Sequence, residues 1–211
     1  MSAADEDLLV ALRDRRLLAI IRGTDPGACV RTAMVLIEEG VSVLEVSLTS
    51  VNALGVLERV TAEAGGEARV GAGTVLTRDD AHRARDAGAT FAVTPALGAG
   101  VTTAVSIGLP VLAGAMTPTE VLAAAGAGAA AVKLFPAEFL GPAYVTALRG
   151  PFPEIGLVPV GGVGLEEAGA HLRAGAIAVG AGGPLAGDAP DGGDLTALRS
   201  RARAFRAAVG R

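Results

Sequence analysis

Ala129-Ala130-Ala131-Val132-Lys133-Leu134-Phe135-Pro136-Ala137-Glu138 opens as a short apolar run, the pattern of a strand covered on both faces. Similar runs lie on either side of it. Before it come Leu17–Gly23, Val43–Leu48, Arg69–Val75, Phe91–Pro95 and Pro110–Met116; after it come Gly156–Val163 and Ala176–Gly182. None alternates apolar with polar residues as a half-exposed strand would. Between them lie segments with helix signals. Asp25-Pro26 supplies an N-cap and a proline at N1, and that helix closes at Gly40. Thr77 with Asp80, and Thr117-Pro118-Thr119-Glu120, read as capping boxes. Helices end at Gly65-Gly66, Gly88, near Gly108 and at Gly175, and further helices are expected at 143–148, 165–174 and 194–209. Residues 4–15 form an additional amphipathic helix, with Leu8, Leu9 and Leu12 on one side.

Eight strand–helix units thus repeat roughly every 20 to 26 residues. Doubly covered strands separated by helices make a parallel sheet, and eight of them make a (β/α)₈ TIM barrel, here with a short N-terminal helix. A doubly wound open sheet would need a nucleotide fingerprint after the first strand, and Arg22-Gly23-Thr24-Asp25-Pro26 is not one. No linker interrupts the pattern, so residues 1–211 are read as one barrel domain. The stretch from Gly187 to Gly193 is short enough to be a loop.

Composition narrows the function. The 51% hydrophobic content provides for a large core, while aromatics are only 3%, so Ala, Val, Leu and Gly carry the packing. Net charge is −4 with both signs dispersed. The one basic cluster, Arg199, Arg201, Arg203 and Arg206, reads as the solvated face of the last helix, so no nucleic-acid partner is expected. A single cysteine, Cys29, excludes an internal disulfide and fits a reducing compartment. There is neither a signal-peptide pattern nor a run of about 18 apolar residues. No membrane partner is expected, and the location is read as cytoplasmic.

Lys133 is the only lysine; the other 17 of the 18 basic residues are arginine. Arginine replaces lysine as a solvated charge but not as a nucleophile. Apolar surroundings disfavour an ammonium relative to the neutral amine, the form that attacks carbonyls. The bland alternative, a lysine that snorkels to the surface, does not explain why the one amine lies in the least watery segment. Chemistry in such barrels gathers at strand C-termini, which here carry Arg22, Glu45, Thr74, Thr94-Pro95, Lys133, Gly161-Gly162 and Gly182-Gly183. Glu45 across the barrel from Lys133 suits proton transfer. Arg22 suits a substrate carboxylate, and the two glycine pairs suit a phosphate held on backbone N–H groups. His82 and His171 are read as surface residues, and with no metal-ligand spacing no metal is expected.

Seven segments taken together resemble the 2-keto-3-deoxy-6-phosphogluconate (KDPG) and 4-hydroxy-2-oxoglutarate aldolases. They are Val43-Leu44-Glu45-Val46, Gly71-Ala72-Gly73-Thr74-Val75, Thr94-Pro95, Met116-Thr117-Pro118-Thr119-Glu120, Val132–Glu138, Gly150-Pro151-Phe152-Pro153 and Gly161-Gly162-Val163. The resemblance implies a class I aldolase that uses no cofactor and yields pyruvate and glyceraldehyde 3-phosphate. It implies that Lys133 forms the imine and Glu45 moves protons, that Thr74 and Arg22 hold the carboxylate, and that Phe135 and Pro95 shape the pocket. It also implies a homotrimer. Three positions depart from the family pattern. Leu48-Thr49-Ser50 stands where some relatives have an arginine, leaving Arg22 to supply that charge alone. Val160 replaces a common threonine, and Gly183 replaces the usual serine of the phosphate loop. The aldol half of the site is therefore complete, while the phosphate half has lost two hydroxyls. Two other readings stay open: an aldolase for an unphosphorylated or shorter keto acid such as 4-hydroxy-2-oxoglutarate, and a non-catalytic keto-acid sensor.

Overall fold

A computed structural model of the chain describes residues 2–210. Eight parallel strands run β1 (Leu17–Ile21), β2 (Val43–Ser47), β3 (Arg69–Gly73), β4 (Ala92–Val93), β5 (Val111–Ala115), β6 (Ala131–Leu134), β7 (Leu157–Pro159) and β8 (Val179–Ala181). Each pairs with its sequence neighbours, and β1 also pairs with β8. The seam between β7 and β8 is a single bridge, Val160 to Gly180. It is thin for a chemical reason. Val160 donates to Leu134 on the β6 side, whereas Leu157 accepts from Ile177 on the β8 side. By that alternation Pro159 faces β8, and it has no N–H to give. The result is a nearly closed (β/α)₈ barrel.

Helix α1 (Ala3–Arg15) precedes the barrel. The helices between strands are α2 (Pro26–Glu38), α3 (Ala53–Ala64), α4 (Arg78–Asp86), α5 (Ala99–Ser106), α6 (Pro118–Gly126), α7 (Gly141–Arg149) and α8 (Leu165–Arg173). After β8 come a one-turn helix, α9 (Gly183–Ala186), and the long α10 (Leu195–Val209). The caps fall where the sequence places them. Asp25 accepts from Ala28 N–H, and Thr77/Asp80 and Thr117/Glu120 close reciprocal capping boxes. The glycine-rich stretch after β8 is a helical turn followed by loop, because Pro184 at its start fixes a helical φ.

Strand parity sorts the core into two clusters. Leu17, Ala19 and Ile21 of β1 point out to the helices, as do Leu44 and Val46 of β2 and Val132 and Leu134 of β6. Leu18, Val43, Phe91, Leu112, Ala131 and Val158 point into the barrel. Leu8 and Leu12 of α1 join that inner cluster at 1% and 0% exposure. Those inner residues lie at or near strand starts, so α1 plugs the N-terminal end of the barrel. Chemistry is left to the other end.

Candidate active site

Parity also selects the polar interior. Two residues beyond Leu18 is Ile20, then Arg22; two beyond Val43 is Glu45, then Ser47; two beyond Ala131 is Lys133. Each therefore shares the inward face of its strand, one or two layers above the apolar floor. A cavity of about 340 Å³ opens there, lined by Arg22, Glu45, Lys133, Phe135, Val160, the glycine pairs Gly161-Gly162 and Gly182-Gly183, and the wall residues Ile20, Pro184, Ala186 and Gly187.

Lys133 and Glu45 form the bottom, at 6% and 1% exposure. Glu45 has room because Gly73 lacks a side chain: a Cβ there would lie 2.5 Å from Glu45 Oε1. Its Oε2 is buried without a hydrogen-bond partner among the described residues. Burial raises the Glu45 carboxyl above its ordinary value, and the charges of Lys133 and Arg22 pull it partly back. The Lys133 Nζ lies 5.1 Å from the Phe135 ring centroid, so the ring covers one side of the amine. Among the described residues Lys133 has no carboxylate in ion-pair contact. An amine with access to the cavity and no salt bridge is free to bond a substrate carbon.

Arg22 sits at the mouth, and its Nε donates to Ser47 Oγ at 3.4 Å. Ser47 is also within hydrogen-bonding distance of Thr49 Oγ1 (2.8 Å) and Thr74 Oγ1 (3.1 Å). Thr74 adopts φ 61 to reach this position, a left-handed conformation that is unusual for a β-branched residue. Ser47 and Thr49 join the site without a clear mark in the sequence. The signal they do carry is Ser47-Leu48-Thr49, hydroxyls two apart at a strand end, while Thr74 comes from another strand. Thr74 itself does not line the main cavity; it reaches the site through Ser47. Pro95 lines a neighbouring depression of about 320 Å³ with Met116, Glu120 and Phe135. Phe135 is the wall common to both.

The structure corrects one reading. His82 is exposed, but His171 is buried at 3% exposure, with Nδ1 unpartnered among the described residues. It faces inward from α8 together with Ala168, three residues earlier. The arginines of α10 do lie on its solvated side, and three of them find partners there. Arg199 pairs with Glu38 and Glu39, Arg203 with Glu39, and Arg206 donates to the Glu39 carbonyl. Among the described residues no group of three or more His, Cys, Asp or Glu is placed to hold a metal ion, and no helix is long and apolar enough to cross a membrane.

Residues 9–197 match the aldolase family described as KDPG and KHG aldolase. The chain belongs to that family. It is 36% identical over 197 residues to a probable 2-dehydro-3-deoxy-6-phosphogalactonate aldolase of Rhizobium meliloti, covering 92% of each chain. It is 35% identical over 166 residues to a 2-dehydro-3-deoxy-phosphogluconate aldolase of Pseudomonas aeruginosa, covering 76% of this chain and 73% of that one. A solved structure described as native KDPGal superposes with a TM-score of 0.85 at 31% identity, covering 91% of this chain and 93% of that one. This KDPG and KHG aldolase family member is thus an aldolase, a lyase. A barrel aldolase needs its chemistry above the strand C-termini, and the cavity over Glu45 and Lys133 is there.

Proposed function

We propose that this aldolase works through a Schiff base on Lys133 and reversibly cleaves 2-keto-3-deoxy-6-phosphogluconate, or its C4 epimer of the galactonate series, to pyruvate and glyceraldehyde 3-phosphate. The observation that carries this reading is the chain's one lysine, facing inward at the bottom of a cavity that also holds Glu45 and Arg22. The neutral amine attacks the C2 ketone, giving a carbinolamine that loses water to an iminium. As the C3–C4 bond breaks, its electron pair moves toward the iminium nitrogen and leaves an enamine. Glu45 takes the C4 hydroxyl proton in the same step, so the aldehyde departs. Protonation of the enamine at C3 and hydrolysis then release pyruvate and free Lys133. Arg22, oriented by Ser47 with Thr74 and Thr49 behind it, holds the substrate carboxylate, and this keeps C2 within reach of the amine. Phe135 covers the amine, and Pro95 shapes the far side of that ring.

The phosphate is assigned to the opposite rim, on the backbone N–H groups of Gly161, Gly162, Gly182 and Gly183. Gly161 and Gly162 have φ 97 and 73, a backbone suited to glycine. Val160 at 2% exposure contributes only an apolar wall. The galactonate epimer is the second reading, because the relative that covers 92% of this chain carries that name. The subunits associate as a homotrimer, the state the family resemblance implies.

Borohydride reduction in the presence of pyruvate tests the first step. One covalent adduct is expected, at Lys133 by peptide mapping; no adduct, or one at the N-terminal amine alone, rejects the mechanism. Pyruvate release from the gluconate and galactonate epimers, and from unphosphorylated 4-hydroxy-2-oxoglutarate, then decides the substrate.

A further inference from the structure

Pro184, Ala186 and Gly187 form one wall of the cavity, on and just after the one-turn helix α9. A single turn has too few internal hydrogen bonds to hold its own shape, and its last carbonyls need partners from elsewhere. Two of them share one side chain. Arg201 on α10 donates from Nε to the Leu185 carbonyl and from Nη2 to the Ala186 carbonyl, both at 2.8 Å. Gly187 follows at φ 58, and a Cβ there would lie 2.5 Å from Arg201 Nη2. The guanidinium is therefore packed closely against the turn that closes the wall. Arg199 and Arg203 on the same helix engage the carboxylates of Glu38 and Glu39, whereas Arg201 has no carboxylate partner among the described residues. Both its bonds go to the wall.

We infer that Arg201 is a positioning residue for the phosphorylated end of the substrate. It does not line the cavity. It fixes α9, and through α9 the Gly182-Gly183 amides, opposite Gly161-Gly162. An anion shared by amides from two loops needs those loops at a set separation, and a planar fork fastened to two successive carbonyls provides it. Lysine, with a single rotatable ammonium, fastens one carbonyl at a time. This inference rests on the phosphate assignment proposed above.

The test compares the wild-type chain with Arg201→Met and Arg201→Lys. The readouts are kinetics on the preferred phosphorylated epimer and on 4-hydroxy-2-oxoglutarate, inhibition by inorganic phosphate, and pyruvate trapping at Lys133. Arg201→Met is expected to raise both KM for the phosphorylated substrate and the inhibition constant for phosphate by about 10-fold, the scale of one lost charge-assisted hydrogen bond. Its kcat, its kcat/KM for the unphosphorylated acid and its pyruvate trapping stay at wild-type levels. Arg201→Lys falls between, and if Arg201→Met does not fold, the same selective rise in Arg201→Lys decides. Equal losses on both substrates would reduce Arg201 to a general structural contact and overturn the inference. So would a phosphate inhibition that the wild type and the variants share unchanged. A wild type with no preference for phosphate and no inhibition by it overturns the phosphate assignment itself, and this inference with it.

Discussion

At the scale of single residues, Glu45 carries a conflict between burial and charge. Burial pushes its carboxyl up, and Lys133 and Arg22 only partly offset the push. A proton acceptor works as the anion, so activity should fall as pH drops through that raised value. The acid limb of kcat/KM then lies above the usual carboxylate range. Glu45→Gln is expected to lower kcat by about 10²–10⁴-fold, the usual worth of a positioned acid–base group, to abolish that limb, and to leave pyruvate trapping intact. Turnover near wild type in this variant would place the proton transfer on another group. The placement of Lys133 and Glu45 in the candidate site was legible from sequence because each is the wrong residue type for its segment: an amine and a carboxylate inside apolar strands. Ser47 and Thr49 were not, because a strand-end hydroxyl looks the same whether it faces solvent or an arginine. The link to Thr74 depends on a φ of 61, which no pattern of residue types announces.

Among the elements, α8 holds the buried His171, with Ala168 on the same face. Desolvation lowers the imidazole pKa, and Glu167 opposes it in part. A depressed folded-state pKa contributes stability that is complete above the unfolded value of about 6.5 and is lost as pH falls below it. His171→Phe should therefore lose less Tm than wild type between pH 7.5 and pH 5.5. If the two proteins melt in parallel across that interval, the imidazole is not buried neutral. The burial of His171 is not legible in the sequence because helix α8 shows no clean apolar stripe: Leu165 is exposed while His171 is not. The cap signals were reliable for the opposite reason. A Thr–x–x–Glu or Thr–x–x–Asp box is satisfied within four residues, so distant packing does not rewrite it. Strand ends were read too long. Residues 91–95 were expected as strand, but only Ala92–Val93 ladder. Thr94 Oγ1 accepts the Gly114 N–H and donates to the Ala96 carbonyl, so a side chain takes over where the ladder stops.

For the whole molecule, the barrel was legible because parallel strands covered on both faces leave few alternatives, and its two ends then divide the labour. Leu8 and Leu12 close the N-terminal end, and the other end keeps the cavity. That second end also leaves large apolar side chains uncovered. Leu76, Leu97 and Met116 follow β3, β4 and β5 at 52%, 37% and 39% exposure, and Phe139 follows β6 at 74%. Leu97 and Met116 line one continuous depression with Phe135. Single exposed apolar residues are ordinary, but two of them beside one depression suit a contact surface. If the chain forms the proposed trimer, this is the surface expected between neighbouring copies, in a heterologous contact that closes after three subunits. Light scattering of the purified chain should then return about three times the mass of one 20.8 kDa chain. Leu97→Asp would bury an unpaired charge at that contact and is expected to shift the mass toward one chain without preventing folding, since Leu97 is already partly in water in the isolated subunit. A wild type that scatters as a single chain, or a Leu97→Asp protein that remains fully trimeric, would remove this face from the assembly.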